Sequence, residues 1–167
     1  MKFDKAIEKM IKVAEETTAI LLGISVCIIV LQITFRYVLK SPLVWSEQTA
    51  RYIFIWAMAL GIPIIFYRKL VMGFDLLLHA LSDNLQYIIG LLIKVLTLVF
   101  SVFYAKSGIE LCIKSWGSWT VGVEIPFLVL YIAMPVSAIM LSLVMIDFIM
   151  LDIQGRKNGK NEGGQEK

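Results

Sequence analysis

Apolar residues fall into four long runs along this chain, separated by short polar connections. The runs cover about residues 17–39, 45–67, 85–112 and 125–151. A helix needs roughly 20 mainly apolar residues to cross a hydrocarbon core about 30 Å thick. The second run reaches that length only if it includes the polar turns from Trp45 to Arg51, and the third is long enough to tilt. The pattern therefore predicts an all-α membrane protein with four transmembrane helices.

The composition agrees with this prediction. Of 167 residues, 59% are hydrophobic and 17% are charged, and the mean hydropathy is +0.80. A soluble domain of this length has more polar residues. We expect one membrane domain over residues 1–153, followed by a disordered cytoplasmic tail over residues 154–167, which are rich in Gly, Lys and Glu.

The lysine and arginine residues of the connections predict the orientation, because short loops rich in these residues remain in the cytoplasm. Ten of them belong to one side: Lys2, Lys5, Lys9, Lys12, Arg68, Lys69, Arg156, Lys157, Lys160 and Lys167. Five lie at or near the other side: Arg36, Lys40, Arg51, Lys106 and Lys114. We therefore expect both termini to face the cytoplasm.

The second run begins with a polar, aromatic-rich segment that a plain membrane anchor does not need. At about 100° per residue, one side of its helix carries Trp45, Tyr52 and Trp56, and the opposite side carries Glu47 and Arg51. A glutamate four residues before an arginine is the favourable order for an ion pair. We expect the aromatic side at the membrane interface and the charged pair as a structural feature that holds a partner at the edge of the bilayer.

Arg36 lies close to this segment, at the outer end of the first run. We expect its side chain to anchor that helix at the lipid headgroups. Pairing of Arg36 with Glu47 across the short connection is the alternative.

The connection over residues 68–84 has an amphipathic pattern. One helical face carries Phe74, Leu77, Leu78 and Leu81, and the other carries Asp75, His79 and Ser82. This pattern predicts a short helix in the plane of the interface. A proton relay between Asp75 and His79 is the less favoured interpretation. As the chain's single histidine, His79 does not supply a paired haem or metal site.

The third run carries a stripe of small and polar residues on one helical face: Asp83, Tyr87, Gly90, Lys94, Thr97, Ser101, Ala105 and Gly108. Such a stripe favours close approach of a second helix and hydrogen bonds to it. An ionisable residue within a span is a functional candidate, and Lys94 is one. We favour packing or headgroup contact for Lys94, reached along its flexible stem, over a substrate or ion role.

The sequence shows none of the arrangements that enzymes use. It contains no nucleophile–base pair, no phosphate-binding glycine loop and no Cys/His metal spacing. We expect a protein that is not an enzyme and that binds no cofactor or metal ion. No internal repeat of the kind found in many secondary transporters is visible either.

The chain resembles the small membrane subunit of TRAP (tripartite ATP-independent periplasmic) transporters, the DctQ-like family. The resemblance covers about residues 15–151 and rests on Arg36, Tyr37, Pro42, Leu43, Trp45, Ser46, Glu47, Ala50, Arg51, Tyr52, Phe54, Trp56, Leu60, Gly61, the segment 71–77, Ile125, Pro126, Tyr131 and Pro135. It departs from the family at Gln48, where a second acid is common, and at residues 72–74, where a histidine usually precedes the acid at Asp75.

The resemblance implies a role as a rigid scaffold in the bacterial inner membrane. In that family the partners are a large membrane subunit, which binds sodium and substrate and moves by an elevator-like motion, and a periplasmic binding protein. Sodium coupling is expected on the large subunit. The cargo is an organic acid, such as sialic acid or a C4-dicarboxylate.

Two other classes of function remain open. One is the membrane-anchor subunit of a redox enzyme, which would need haem-binding histidines within the bilayer. The other is a small, self-sufficient, homo-oligomeric carrier, against which the missing repeat argues.

Overall fold

The computed structural model describes residues 2–40, 44–68, 83–119 and 125–162. These residues form five helices: α1 (Lys2–Tyr37), α2 (Val44–Tyr67), α3 (Asp83–Lys114), α4 (Phe127–Tyr131) and α5 (Ala133–Glu162). Four segments are long and apolar enough to cross a membrane: Asp4–Tyr37, Trp45–Tyr67, Leu85–Lys114 and Phe127–Ile153, the last formed by α4 and α5. No strand occurs in these described ranges. The prediction of an all-α protein with four transmembrane helices is confirmed.

The predicted interfacial helix lies outside the described residues, because the structure does not describe residues 69–82. The same holds for Asp75 and His79 and for the predicted helix start at Ser41 and Pro42.

The first helix begins well before the apolar run that predicted it. Its early part buries Ile7, Ile11 and Ala14, which are 3%, 0% and 5% exposed. Their spacing of four and three residues places them on one helical face, while the charged residues between them remain outside. The amphipathic start of α1 is therefore part of the folded domain.

The long helices form a row in which α1 packs on α2, α2 on α5, and α5 on α3. The first helix makes a small additional contact with α5, and no contact joins α3 to α1 or α2 within the described helices. In this row α2 and α5 are the inner helices, and α1 and α3 are the outer helices.

The apolar core lies toward one end of the four long helices, along the direction of their axes. There Ile7 and Ile11 of α1 pack with Leu141, Val144 and Met145 of α5. The rings of Tyr67 at the end of α2 and Phe148 of α5 stack at the same level, with centroids 6.1 Å apart. We call this the terminal end, because the start of α1 and the second half of α5 both lie there.

At the opposite end, the described residues that flank positions 120–124 pair with each other between α3 and α4. Gly117 follows the end of α3 with a φ of 82°, a left-handed conformation that glycine adopts without strain. Beyond it, Trp119 and Pro126 form an isolated antiparallel bridge, and the Phe127 amide donates to the Ser118 carbonyl at 3.1 Å.

The last helix is longer than the sequence predicted. It continues to Glu162 and so includes residues 154–162, which we had assigned to a disordered tail. Each residue added to an existing helix gains a hydrogen bond without a new nucleation cost. That part of the tail prediction is corrected.

Candidate functional site

The charged pair at the start of α2 forms as the sequence predicted. Arg51 Nη2 donates to Glu47 Oε1 at 3.3 Å, and both side chains are 58% exposed. The two residues lie one helical turn apart near the start of α2. It is an accessible polar feature on an otherwise apolar helix surface.

The three rings on the aromatic side of α2 differ in how far protein covers them. Trp45 is 47% exposed, whereas Tyr52 is only 7% exposed. Trp56 donates its indole Nε1–H to the Val129 carbonyl at 3.0 Å. Val129 belongs to α4, whose five residues cannot pair all their own carbonyl groups. Tyr52 and Trp56 therefore contact protein, and Trp45 is the exposed ring of the three. Their position at the membrane interface stays a prediction.

Arg36 is exposed near the end of α1 and forms no ion pair with any residue that the structure describes. The alternative pairing of Arg36 with Glu47 is thus not observed, since Glu47 contacts Arg51 instead. A headgroup contact for Arg36 stays a prediction.

Lys94 pairs with an acid of the neighbouring helix. Its Nζ forms a short ion pair with Asp152 of α5 and lies 6.0 Å from the centroid of the Phe148 ring. The two charged side chains are 28% and 30% exposed. Sequence reasoning missed Asp152, although it lies at a depth comparable to that of Lys94 if spans three and four run antiparallel. The lysine is therefore held by an interhelical ion pair.

The second half of the stripe on α3 faces α5, and a hydroxyl pair lies in the middle of the stripe. The Oγ atoms of Ser101 and Ser142 lie 2.7 Å apart, and Ser101 is fully buried. Each Oγ also lies 2.8 Å from a carbonyl oxygen of its own helix, Leu98 for Ser101 and Ala138 for Ser142. One hydroxyl donates to the other, and this contact joins α3 to α5.

The two glycines of the stripe occupy different surroundings. A Cβ atom on Gly108 would lie 2.8 Å from Pro135 Cδ and 3.0 Å from Met134 Cβ, so α5 approaches the α3 backbone closely there. A Cβ on Gly90 would meet nothing within 4 Å. A side chain at Gly90 would therefore enter open space, and of the two glycines only Gly108 marks a close approach of α5.

A further ion pair, not found from the sequence, joins the first two helices at the terminal end. Arg68 donates from Nε and Nη2 to the two carboxylate oxygens of Glu15, at 2.6 and 2.7 Å. This bidentate geometry is the strong form of a charged hydrogen bond. The hydrogen bonds to the Glu15 carboxylate raise the pKa of the Arg68 guanidinium above its usual value. Hydropathy could not reveal the pair, which joins residues 53 positions apart.

The chemistry of these contacts is structural. Several side-chain contacts join different helices, namely Lys94–Asp152, Glu15–Arg68 and Ser101–Ser142, whereas the Glu47–Arg51 pair lies within α2. The described residues contain no group of three His, Cys, Asp or Glu side chains that could hold a metal ion. The polar side chains in these interhelical contacts thus hold the helices together.

These features define an integral, multi-pass membrane protein whose polar side chains connect its own helices. Residues 25–155 match the family described as "Tripartite ATP-independent periplasmic transporters, DctQ component". The chain belongs to this family and is the small subunit of a TRAP transporter. A comparison with curated proteins found no match. The resemblance drawn from the sequence is confirmed.

Proposed function

We propose that this chain is a static scaffold subunit with no catalytic activity, which enlarges the fixed part of a TRAP transporter in the membrane. The observation that supports this role is the closed face of α3. Lys94, Ser101 and Gly108 on that face each meet α5 of the same chain. Helices joined by an ion pair, a hydroxyl contact and close backbone packing resist sliding past one another.

The transported substrate is an organic acid, such as sialic acid or a C4-dicarboxylate, and its import is coupled to sodium. The partners are a large membrane subunit, which binds sodium and substrate, and a periplasmic binding protein that delivers the substrate. Membership in a tripartite, ATP-independent family supports this assignment, since accumulation of a solute without ATP needs another energy source, which an ion gradient can provide. We place substrate and sodium contacts on the large subunit and expect no cofactor on this chain.

We infer the orientation from the excess of Lys and Arg at the terminal end. This excess predicts that both termini lie on the cytoplasmic side of the bacterial inner membrane. A reporter that is active only in the periplasm, fused after Lys167, should be inactive. A matched fusion in the connection after Gly117 should be active, and the reverse pattern would overturn this orientation.

Reconstitution tests the function directly. Liposomes that contain this chain and its large subunit should take up the organic acid when sodium and the binding protein are present. Omission of any one of these components should abolish uptake. Sodium-driven uptake by liposomes that contain only this chain would establish a self-sufficient carrier and refute the scaffold role. A haem band in the optical spectrum of the purified chain would instead indicate a redox anchor.

A substitution separates scaffolding from substrate binding. Glu47→Gln removes the charge partner of Arg51 and should lower the amount of assembled transporter. The preference among competing organic acids should stay unchanged. A changed preference would mean that Glu47 contacts the substrate.

A further inference from the structure

The contacts between α3 and α5 determine which residues of the two helices lie level with each other. Ser101 Oγ lies 2.7 Å from Ser142 Oγ, and a Cβ on Gly108 would lie 2.8 Å from Pro135 Cδ. Both contacts give the same antiparallel register, because seven residues separate the two positions on each helix. Positions along α3 can therefore be compared directly with positions along α5.

The exposed residues of α3 form an apolar belt, which begins at Leu85 and ends at Phe103. Every exposed position in this interval is apolar. The rise over the belt is about 27 Å, close to the thickness of a hydrocarbon core, about 30 Å. Beyond the belt, the exposed positions mix charged and apolar residues: Lys106, Ile109, Glu110, Ile113 and Lys114. This pattern indicates that the hydrocarbon core covers α3 from Leu85 to about Lys106.

The fourth span has an apolar belt of its own, formed by α4 and α5. Every exposed position from Val129 to Ile153 is apolar. The sequence becomes polar directly after Ile153, over residues 154–162. In the register set by the two contacts, Ile153 lies level with Gly90 of α3, and Val129 lies level with Lys114.

The two belts are displaced relative to each other. At the terminal end, the α3 belt begins at Leu85, about 8 Å beyond the level of Ile153. At the opposite end, the first exposed charge of α3 is Lys106, about 12 Å before the level of Val129. Because the displacement has the same direction at both ends, it is mainly a shift of the belt and not a difference in its length.

A hydrocarbon layer perpendicular to the helices does not suit both belts. If the layer followed α5, Leu85 would lie among the headgroups and Lys106 would lie inside the core. If it followed α3, residues 154–158 of α5 would enter the core, including Arg156 and Lys157. Ionisable residues are costly in the core, and apolar residues are less stable outside it. This holds whatever covers the exposed faces, because a neighbouring membrane protein has its apolar part at the level of the lipid chains.

We propose that the hydrocarbon layer meets α3 about 10 Å nearer the terminal end than it meets α4 and α5, because the row of helices lies inclined in the membrane. Transmembrane helices tilt by up to about 40°, and an inclined row displaces the layer along neighbouring helices. Lys106 then lies at the boundary opposite the terminal end, where lysine meets lipid headgroups. Lys94 lies inside the α3 belt, and its long stem reaches Asp152 at the polar end of the α5 belt. This placement does not depend on the proposed function.

Depth measurements on spin labels test the displacement at two levels of the row. Leu92→Cys and Leu151→Cys form one level pair, and Phe103→Cys and Ile139→Cys form another, level to within one residue. All four positions are exposed, at 65%, 47%, 69% and 54%. Each label is attached to the full-length chain in liposomes, after both native cysteines have been replaced by alanine. The ratio of its collisions with oxygen to its collisions with a water-soluble nickel chelate reports its depth.

The two pairs should differ in opposite directions. The label at Leu92 should lie about 7 Å deeper than the label at Leu151, measured from the boundary at the terminal end. The label at Phe103 should lie about 10 Å shallower than the label at Ile139, measured from the opposite boundary. A general difference in accessibility between the helices would not reverse its sign, and equal depths within either pair overturn the proposal. If a labelled variant does not fold, an exposed neighbour replaces it: Met150 for Leu151, or Val102 for Phe103.

Discussion

The inner and outer helices of the row have similar compositions but very different surroundings. In the most apolar stretches of α2 and α5, 28% and 33% of the residues are buried, against 6% in both α1 and α3. The least apolar of the four spans is nevertheless the inner helix α2. Hydropathy thus reports that a helix lies in the membrane and does not report how much protein surrounds it.

The difference follows from the solvent. In water an apolar face is driven inward, whereas in lipid the apolar side chains of α1 and α3 are already in a compatible medium. Small residues and polar pairs decide which faces meet. Each outer helix is therefore held to an inner helix by a few specific contacts. Substitutions that break these contacts should have the largest effects on stability.

Gly108→Leu should have the largest effect, because it places a side chain where α3 and α5 are closest. A Cβ alone would lie 2.8 Å from Pro135 Cδ, so the helices must separate. We expect a loss of about 3 kcal/mol in the free energy of unfolding, measured by SDS titration in mixed micelles.

Gly90→Leu is the matched control on the same stripe, since a Cβ there meets nothing within 4 Å. It should change the unfolding free energy little. Equal destabilisation by the two substitutions would show that α3 and α5 approach each other differently from this description.

Lys94→Met should have the next largest effect, since it leaves the Asp152 carboxylate without its partner. Removal of one member of a buried ion pair is costly, and these side chains are still 28% and 30% exposed, so we expect about 2 kcal/mol. The double variant with Asp152→Leu should recover most of this loss. A double variant less stable than Lys94→Met would mean that the pair is not the main interaction of either residue.

Much of the fold could be predicted from the sequence, because the membrane imposes one requirement on each span. The length needed to cross the membrane extended the second span back over the polar turns to residue 45, and the structure has Trp45–Tyr67. The pair of Glu47 and Arg51 was also predictable, because its geometry depends on a single helix.

What could not be predicted depends on contacts between helices. The partners of Lys94 and Arg68 are Asp152 and Glu15, each more than fifty positions away. Likewise, one helical wheel places Tyr52 beside Trp45 and cannot show that a neighbouring helix covers only Tyr52. The stripe on α3 did predict a face against protein, yet Gly90 and Gly108 could be distinguished only by the position of α5.

Loss of the contact that holds α1 to α2 should have a smaller effect on stability. Glu15→Gln removes the charge that binds Arg68 and should lower the unfolding free energy by about 1 kcal/mol, because both groups are partly exposed. Glu16→Gln, the neighbouring exposed acid, is the matched control and should be nearly neutral. If the two variants are equally stable, the Glu15–Arg68 contact does not fasten α1 to α2.

The smallest effect should come from the hydroxyl pair in the middle of the row. Ser101→Ala removes the contact with Ser142, but Ser142 Oγ still lies 2.8 Å from the Ala138 carbonyl and can donate to it. No buried donor is left unpaired, so we expect a loss of only about 0.6 kcal/mol in the same SDS titration, the usual size of a hydrogen bond between membrane helices. Ser142→Ala should match it, since the Ser101 hydroxyl can likewise donate to the Leu98 carbonyl. In a double-mutant cycle the two losses should not add, because both remove one shared contact. Fully additive losses would mean that each serine stabilises its own helix and that the 2.7 Å contact contributes nothing to joining α3 and α5.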